Sequence, residues 1–271
     1  MMVLMARSAA GESVLTRAMR ILRLFTASSP ALTVSEIARR ADLPVTTAHR
    51  LVTELVELGA LDRADGGRVR MGYQLWELVS RSSRAQDLRQ VAMPFMEDLQ
   101  AVVRQHTQIG VLEGTDVLYL ERLSARRGGI TNVAKIAGRL PIHATSVGLV
   151  LLAFSPRELQ EDVLSRPLQR FTERTILDPG ELRRLLAQVR REGFVVAREM
   201  ITEGATGLAA PVRNDRGEVV AALSIVIPAT DPNPRAQAPA LVAAARGISR
   251  ALGAPTPAED LIRTRGPKPS H

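Results

Sequence analysis

The 271-residue chain contains no cysteine. Disulfides, thiolate zinc sites, iron–sulfur clusters and cysteine nucleophiles are therefore excluded, and the composition suits a reducing compartment such as the cytoplasm. Lysine is nearly missing too: of 36 basic residues only Lys135 and Lys268 are lysines. Against 28 acidic residues the formal charge is 36 − 28 = +8. The excess is planar, permanently ionised guanidinium, which matches phosphates and base edges, although a high-GC genome produces the same bias. No apolar run approaches the ~18 to 20 residues of a membrane span; the longest are Val147 to Phe154 and Val219 to Ile227. The opening MMVLMARSAAGES has no apolar h-region before or after Arg7, so a soluble, unexported protein with no membrane partner is expected.

Catalytic motifs are also lacking. There is no G-x-S-x-G elbow, no phosphate-cradling G-x-x-x-x-G-K and no H-E-x-x-H, and of four histidines one is terminal. A hydrolase or acyl transferase carrying a DNA-binding appendage would need such a nucleophile or base, so no catalytic residue, metal or cofactor is expected. His143, beside Pro141, is expected to satisfy local backbone, and His106 to sit at a helix end, where an imidazolium suits the dipole.

What is present is apolar material, 45% of the residues, enough at this length for two domains. Residues 1–12 lack periodicity and 253–271 carry Pro255, Pro257, Pro267 and Pro269, so both read as tails. Helical spacing of Val14, Leu15, Ala18, Ile21, Leu22 and Phe25 leaves Arg17, Arg20 and Arg23 on the opposite face. After Pro30, Thr33-Val34-Ser35-Glu36 has the form of a capping box, starting a short helix to about Ala41. Asp42-Leu43-Pro44 interrupts it, with Pro44 expected in the first turn of a third helix whose buried stripe is Ala48, Leu51, Val52, Leu55 and Leu58 and whose stop is Gly59. Around Asp65-Gly66-Gly67, short alternating pieces predict a hairpin.

Two helices joined by a tight turn, the second with a polar face, followed by a small β-wing, form the arrangement that places a recognition helix in the major groove of double-stranded DNA. Thr46 and Thr47 suit phosphates or a thymine methyl, His49 can donate or accept, and Arg50 can reach a guanine edge bidentately. Arg63, Arg68 and Arg70 on the wing would add affinity with little sequence information. Net charge supports this only weakly, since residues 14–72 hold 9 arginines and 6 acids, +3.

Further on, Gln74 to Arg84 reads as a linker helix carrying Trp76 and Val79, and Asp87 to His106 as a helix with Leu88, Val91, Phe95, Leu99 and Val102 as its stripe. Beyond Thr107, strands (107–112, 117–123, 131–136, 194–199, 207–213, 219–227) alternate with helices (146–154, 156–164, 179–192, 236–252), a mixed α/β domain with a hairpin at Asn214-Asp215-Arg216-Gly217.

The run Leu32 to Arg40, then Leu43-Pro44-Val45-Thr46-Thr47-Ala48-His49-Arg50-Leu51, Gly59, and the wing ending Tyr73-Gln74-Leu75 resembles the DNA-binding half of the IclR family of bacterial transcriptional regulators. Leu140 to Gly148, Arg174-Thr175-Ile176, Gly193-Phe194, Gly207 to Val212 and Ala221 to Ser224 resemble that family's effector-domain landmarks, in order. The resemblance implies an α+β chain: a tail (1–12), a winged helix-turn-helix (13–73), a linker helix (74–86), a GAF-like α/β effector-binding domain (87–252) and a Pro-rich tail (253–271). It further implies homodimers, often paired into homotetramers, on pseudo-palindromic operators, and a small organic acid as effector. Family positions for the effector fall on Ser146, Val147, Gly148, Ala197, Gly207, Ser224 and Val226. Where the family places an acid, a Cys and a second Ser, this chain has Ala197, Gly207 and Val226, and Leu149 and Val150 stand where a Lys usually follows the glycine. A roomier, more apolar site is expected, suited to an aromatic or branched acid rather than glyoxylate or pyruvate. A DNA-binding protein with no effector is the alternative.

Overall fold

The computed structural model describes residues 12–26, 28–82, 84–125 and 132–255, so most of both expected tails, and Thr131, lie outside the described residues. The chain divides into two units, Met1–Ser83 and Arg84–His271.

In the first unit, α1 (Val14–Leu22) starts where the Ser13 hydroxyl accepts the Thr16 amide at 3.1 Å. Only Ile21 of its apolar face is buried; Val14 and Leu15 are exposed. β1 (Ala31–Thr33) leads into α2 (Val34–Arg40). The capping box is formed: Glu36 N–H donates to Thr33 Oγ1 at 3.3 Å, and Thr33 N–H to Glu36 Oε2 at 2.8 Å. The Thr33 amide, together with the Thr33 hydroxyl at 3.1 Å, donates to the carboxylate and holds the Glu36 pKa below its ordinary value. Asp42, at φ 51, tightens the turn into α3 (Val45–Glu57), and Pro44 is the residue before the first turn rather than within it. Ala48, Leu51, Val52 and Leu55 are buried as expected, whereas Leu58 is 66% exposed. Leu58 is already the cap, and left-handed Gly59 (φ 67) turns the chain away behind it.

The hairpin β2 (Leu61–Ala64) and β3 (Arg68–Met71) carries left-handed Gly66 and Gly67 at its tip. β3 is central, pairing antiparallel with both β2 and β1. The three-residue β1 has no periodicity of its own and exists because β3 offers an open edge. Ile21, Ile37, Leu51, Leu61 and Val69 form one core. The helix α4 (Tyr73–Ser82) closes this unit.

The second unit is built on a six-stranded sheet of order β6-β5-β4-β9-β8-β7, every pair antiparallel. The strands are β4 (His106–Glu113), β5 (Asp116–Leu123), β6 (Arg139–Pro141), β7 (Val195–Arg198), β8 (Ala205–Arg213) and β9 (Val219–Pro228). One face packs against α5 (Arg84–Val103) and α9 (Ala238–Ala251), the other against α6 (Ser146–Phe154), α7 (Arg157–Ser165) and α8 (Pro179–Glu192). Successive strand residues serve opposite faces, so Leu223, Ile225 and Ile227 join the α5/α9 core while Ala222, Ser224 and Val226 face α6.

Three expectations are corrected here. The buried stripe of α5 is Leu88, Ala92, Met96, Leu99 and Val103, leaving Val102 72% exposed. His106 opens β4 instead of ending a helix, and its Nδ1 accepts the Ala125 amide at 3.1 Å. No strand runs through 132–136; the edge strand is β6, paired with Asp116 to Leu118. The carbonyls of Asn132 and Ala134 are taken by the Arg122 guanidinium instead, at 3.4 and 2.6 Å.

Thr206 points, with Leu208 and Ile227, into the α5/α9 core, and its buried hydroxyl has no hydrogen-bond partner among the described residues. Removing an unsatisfied polar atom while keeping the β-branched shape relieves a desolvation cost. Thr206→Val is expected to raise stability by about 1 kcal/mol, read as a higher thermal midpoint; a comparable loss would mean that the hydroxyl has a partner.

Candidate DNA-binding surface and effector cavity

On α3 the side opposite the buried stripe carries exposed Thr46, His49 and Arg50, with Thr47 half-buried. No side chain caps the first turn of α3, so its leading amides are available to an anion, as at other phosphate-binding helix starts. Arg50 lies 3.6 Å from Glu54, one turn on, with both side chains largely exposed. Such a pair is worth only about 0.3–0.5 kcal/mol, so the guanidinium can exchange it for a base edge.

On the wing, Arg68 and Arg70 project from the same face of β3, and Val69 between them enters the core. Arg63 sits opposite Val69 in register and therefore on the other face of the hairpin. The three arginines expected to act together are thus split: two share a surface and Arg63 does not. Arg70 also lies over the Tyr73 ring at 5.9 Å.

The cavity of the second unit lies between α6 and the sheet. Thr145 caps α6: its Oγ1 accepts the Gly148 amide at 3.0 Å and donates to the Pro141 carbonyl at 3.1 Å. Two glycines permit this seating. A Cβ on Gly148 would overlap the Ile142 carbonyl, and one on Gly207 would come within 2.6 Å of Ser146 Oγ. Ser146 is thereby pressed onto β8 and β9, where its Oγ meets Ser224 Oγ at 3.2 Å.

Of the seven positions expected around an effector, Ser146, Ala197, Gly207 and Val226 line this cavity. Val147 is buried in the α6 core and Ser224 lies behind Ser146. The Gly148 amide is engaged by Thr145, so in the first turn of α6 the amides of Ser146 and Val147 remain for an anion. The cavity has about 420 Å³ of empty space, open solvent at its mouth included. Ser146 occupies the space beside Gly207, and Leu140, Met200 and Ile201 contribute apolar lining.

Polar lining residues not anticipated are Gln108, Tyr119, Asn132 and Thr202. Strand register reveals Gln108 and Tyr119, and the loops containing Asn132 and Thr202 are brought to the cavity only by the fold, since a single polar residue in a strand or loop gives no signal in the sequence. Burial drives the Tyr119 phenol well above its ordinary pKa, partly offset by a hydrogen bond with Thr145. It therefore stays neutral.

His143, in the turn before α6, is buried, and its Nε2 donates to the distant Gln169 carbonyl at 2.9 Å rather than to local backbone. Burial lowers its pKa, and the bond to Gln169 opposes this only in part. A histidine with a folded pKa below the unfolded 6.5 contributes stability fully above that value, which is lost as the unfolded state takes up the proton on acidification. The stability advantage of the wild type over His143→Asn is expected to shrink between about pH 7.5 and 5.5, followed by calorimetry. A gap that widens with acidification would show the histidine to be charged in the folded state.

Among the described residues no group of three or more His, Cys, Asp or Glu could hold a metal, and no helix is long and apolar enough to cross a membrane.

Comparison with known proteins matches residues 14–65 to the IclR helix-turn-helix domain and residues 81–252 to the bacterial transcriptional regulator IclR C-terminal domain. The HTH-type transcriptional regulator XynR of Escherichia coli is 32% identical over 247 residues, covering 88% of this chain and 96% of that protein. BhcR of Paracoccus denitrificans is 31% identical over 249 residues, 90% of this chain and 88% of that one. The crystal structure of an IclR homologue from Microbacterium hydrocarbonoxydans, complexed with 4-hydroxybenzoate, superposes with a TM-score of 0.85 at 49% identity, over 89% of this chain and 99% of that one. The helix-turn-helix with its wing and the α/β unit with its cavity are the two halves of one family's architecture, and the chain belongs to the IclR family of bacterial transcriptional regulators.

Proposed function

We propose that this regulator binds a pseudo-palindromic operator as a homodimer, with dimers pairing into tetramers, and that an aromatic acid in the second unit's cavity shifts its affinity for DNA. Thr46, Thr47, His49 and Arg50 read and position on the operator, and Arg68 and Arg70 hold its backbone. Exposed Leu15 and Met19 on α1, and Tyr73 and Trp76 on α4, supply apolar surface of the kind that subunit contacts cover. A two-fold dimer presents two equivalent recognition helices, hence the inverted repeat. The setting is the cytoplasm, where the DNA is.

The observation that carries the effector reading is the cavity lining. Ala197, Gly207 and Val226 offer no polar side chain, Leu140, Met200 and Ile201 add apolar surface, and the free first-turn amides of α6 are left for a carboxylate. The 49%-identical homologue was crystallised with an aromatic acid, which supports the same class here. Titration calorimetry of the purified protein with 4-hydroxybenzoate, pyruvate and glyoxylate tests it. The aromatic acid is expected to bind at least about tenfold more tightly, since apolar contact separates the ligands. Tighter binding of either oxoacid would exclude the reading.

A further inference from the structure

The polar side chains around the effector cavity are nearly all committed within the protein. Tyr119 bonds to Thr145, Thr145 serves both Pro141 and Gly148, and Ser146 pairs with Ser224. The Thr202 hydroxyl, without a partner among the described residues, is buried away from the open space. Gln108 differs. It is only 4% exposed, and the one hydrogen bond of its side chain among the described residues is at Oε1, which accepts from Asn132 Nδ2 at 3.0 Å.

A short relay fixes which end of that amide faces the cavity. The Ala134 N–H donates to Asn132 Oδ1 at 3.1 Å, so Asn132 must turn Nδ2 toward Gln108. Only an oxygen can receive it, which leaves Gln108 Nε2 as a donor with no acceptor among the described residues, on a side chain that lines the cavity. The relay is anchored by Arg122, opposite Gln108 in register, whose guanidinium holds the Ala134 carbonyl at 2.6 Å.

The position of this donor is equally defined. Gln108 lies opposite Ser224 on β9, and Ser224 touches Ser146, the first residue of α6. Nε2 and the first-turn amides of α6 thus serve the same end of the cavity. From β7, β8 and β9 the lining residues Ala197, Gly207 and Val226 bring no side-chain donor, so β4 is the strand that supplies one.

We propose that Gln108 is a specificity-determining residue, its Nε2 donating to a carboxylate oxygen of the effector so that the cavity selects an acid over the corresponding neutral amide. This rests on the reading of the cavity as the seat of an aromatic acid. The donors discriminate because a carboxylate brings two acceptor oxygens and a carboxamide only one, so the amide's NH2 faces either Gln108 Nε2 or the α6 amides donor to donor.

The test is calorimetric titration of full-length wild type, Gln108→Glu and Gln108→Met with 4-hydroxybenzoate and 4-hydroxybenzamide. Glutamate keeps the side-chain length and an oxygen for Asn132 Nδ2 but replaces the donor by a charged acceptor, so it reads donor and charge together. Methionine removes the donor without adding charge and gives the same comparison if the glutamate variant fails to fold. Wild type is expected to favour the acid about tenfold or more, and the variants to lose about tenfold for the acid while holding the amide within about threefold. Wild-type binding with the acid equally well bound by a folded variant overturns the role of Gln108 alone. Failure of the wild type to bind either compound overturns the aromatic-acid reading and this inference with it.

Discussion

Gly148→Ala is expected to destabilise the effector-binding unit by about 3 kcal/mol and to weaken effector binding by about tenfold or more. The added methyl would overlap the Ile142 carbonyl, a backbone atom that cannot rotate away. To accommodate it, α6 must lift from the 141–144 turn. Every residue from Ser146 to Ala153 is buried, so the displacement spreads through a close-packed core, where even one methylene is felt. It also moves the Ser146 and Val147 amides and strains the Thr145 cap. Gly180→Ala, on the exposed first turn of α8, where the new methyl meets the Asp178 oxygen that caps the helix at 3.1 Å and no backbone atom, is the control and should cost about 1 kcal/mol or less. Thermal unfolding of both variants, followed by ligand titration, decides; a Gly148→Ala protein as stable as the control would mean that α6 is seated less tightly than described.

The second large effect concerns DNA. Arg50→Ala is expected to lose about 1–3 kcal/mol of affinity for the operator while affinity for unrelated duplex changes little. Arg68→Ala should weaken both DNAs about equally and reduce the salt slope by about one. The basis is geometric. Arg50 stands on the exposed face of α3, held only by Glu54, whereas Arg68 stands with Arg70 on a wing surface suited to phosphates. Arg63, on the opposite hairpin face, is expected to matter less than either. Anisotropy titrations over a salt series separate the cases, and equal loss of discrimination in both variants would contradict this division of labour.

Much of the fold was legible because local rules and tertiary packing agree in it. The capping box at Thr33 and Glu36, the stop at Gly59, the Asp65-Gly66-Gly67 hairpin and the Asn214 to Gly217 turn each combine a backbone requirement with the residue that meets it. The misses have a common cause: they depend on partners distant in sequence. β1 and β6 are strands only because β3 and β5 offer them an edge. Val102 falls on the apolar stripe of α5 by periodicity, yet the helix is rotated so that Val103 packs against the sheet. The cavity was located from the resemblance, but Gln108 and Tyr119 emerge only from register, Asn132 only from the folding of a loop onto the cavity, and the division of the wing arginines only from the pairing of Arg63 with Val69.

An effector can shift DNA affinity only by as much as it discriminates between two states of the protein, typically ~1–3 kcal/mol or about 5- to 150-fold. The most direct measurement is fluorescence anisotropy of the full-length protein on the DNA upstream of its own and the adjacent gene, at one salt concentration, with an unrelated duplex as control and with and without saturating 4-hydroxybenzoate. The expected result, in one ligand state or the other, is a preference for the upstream DNA of ~10³-fold or more, changed by at least about fivefold when the acid is added. Equal affinity for both duplexes in both states, or a preference that the acid leaves untouched, would contradict an effector-controlled, sequence-specific regulator.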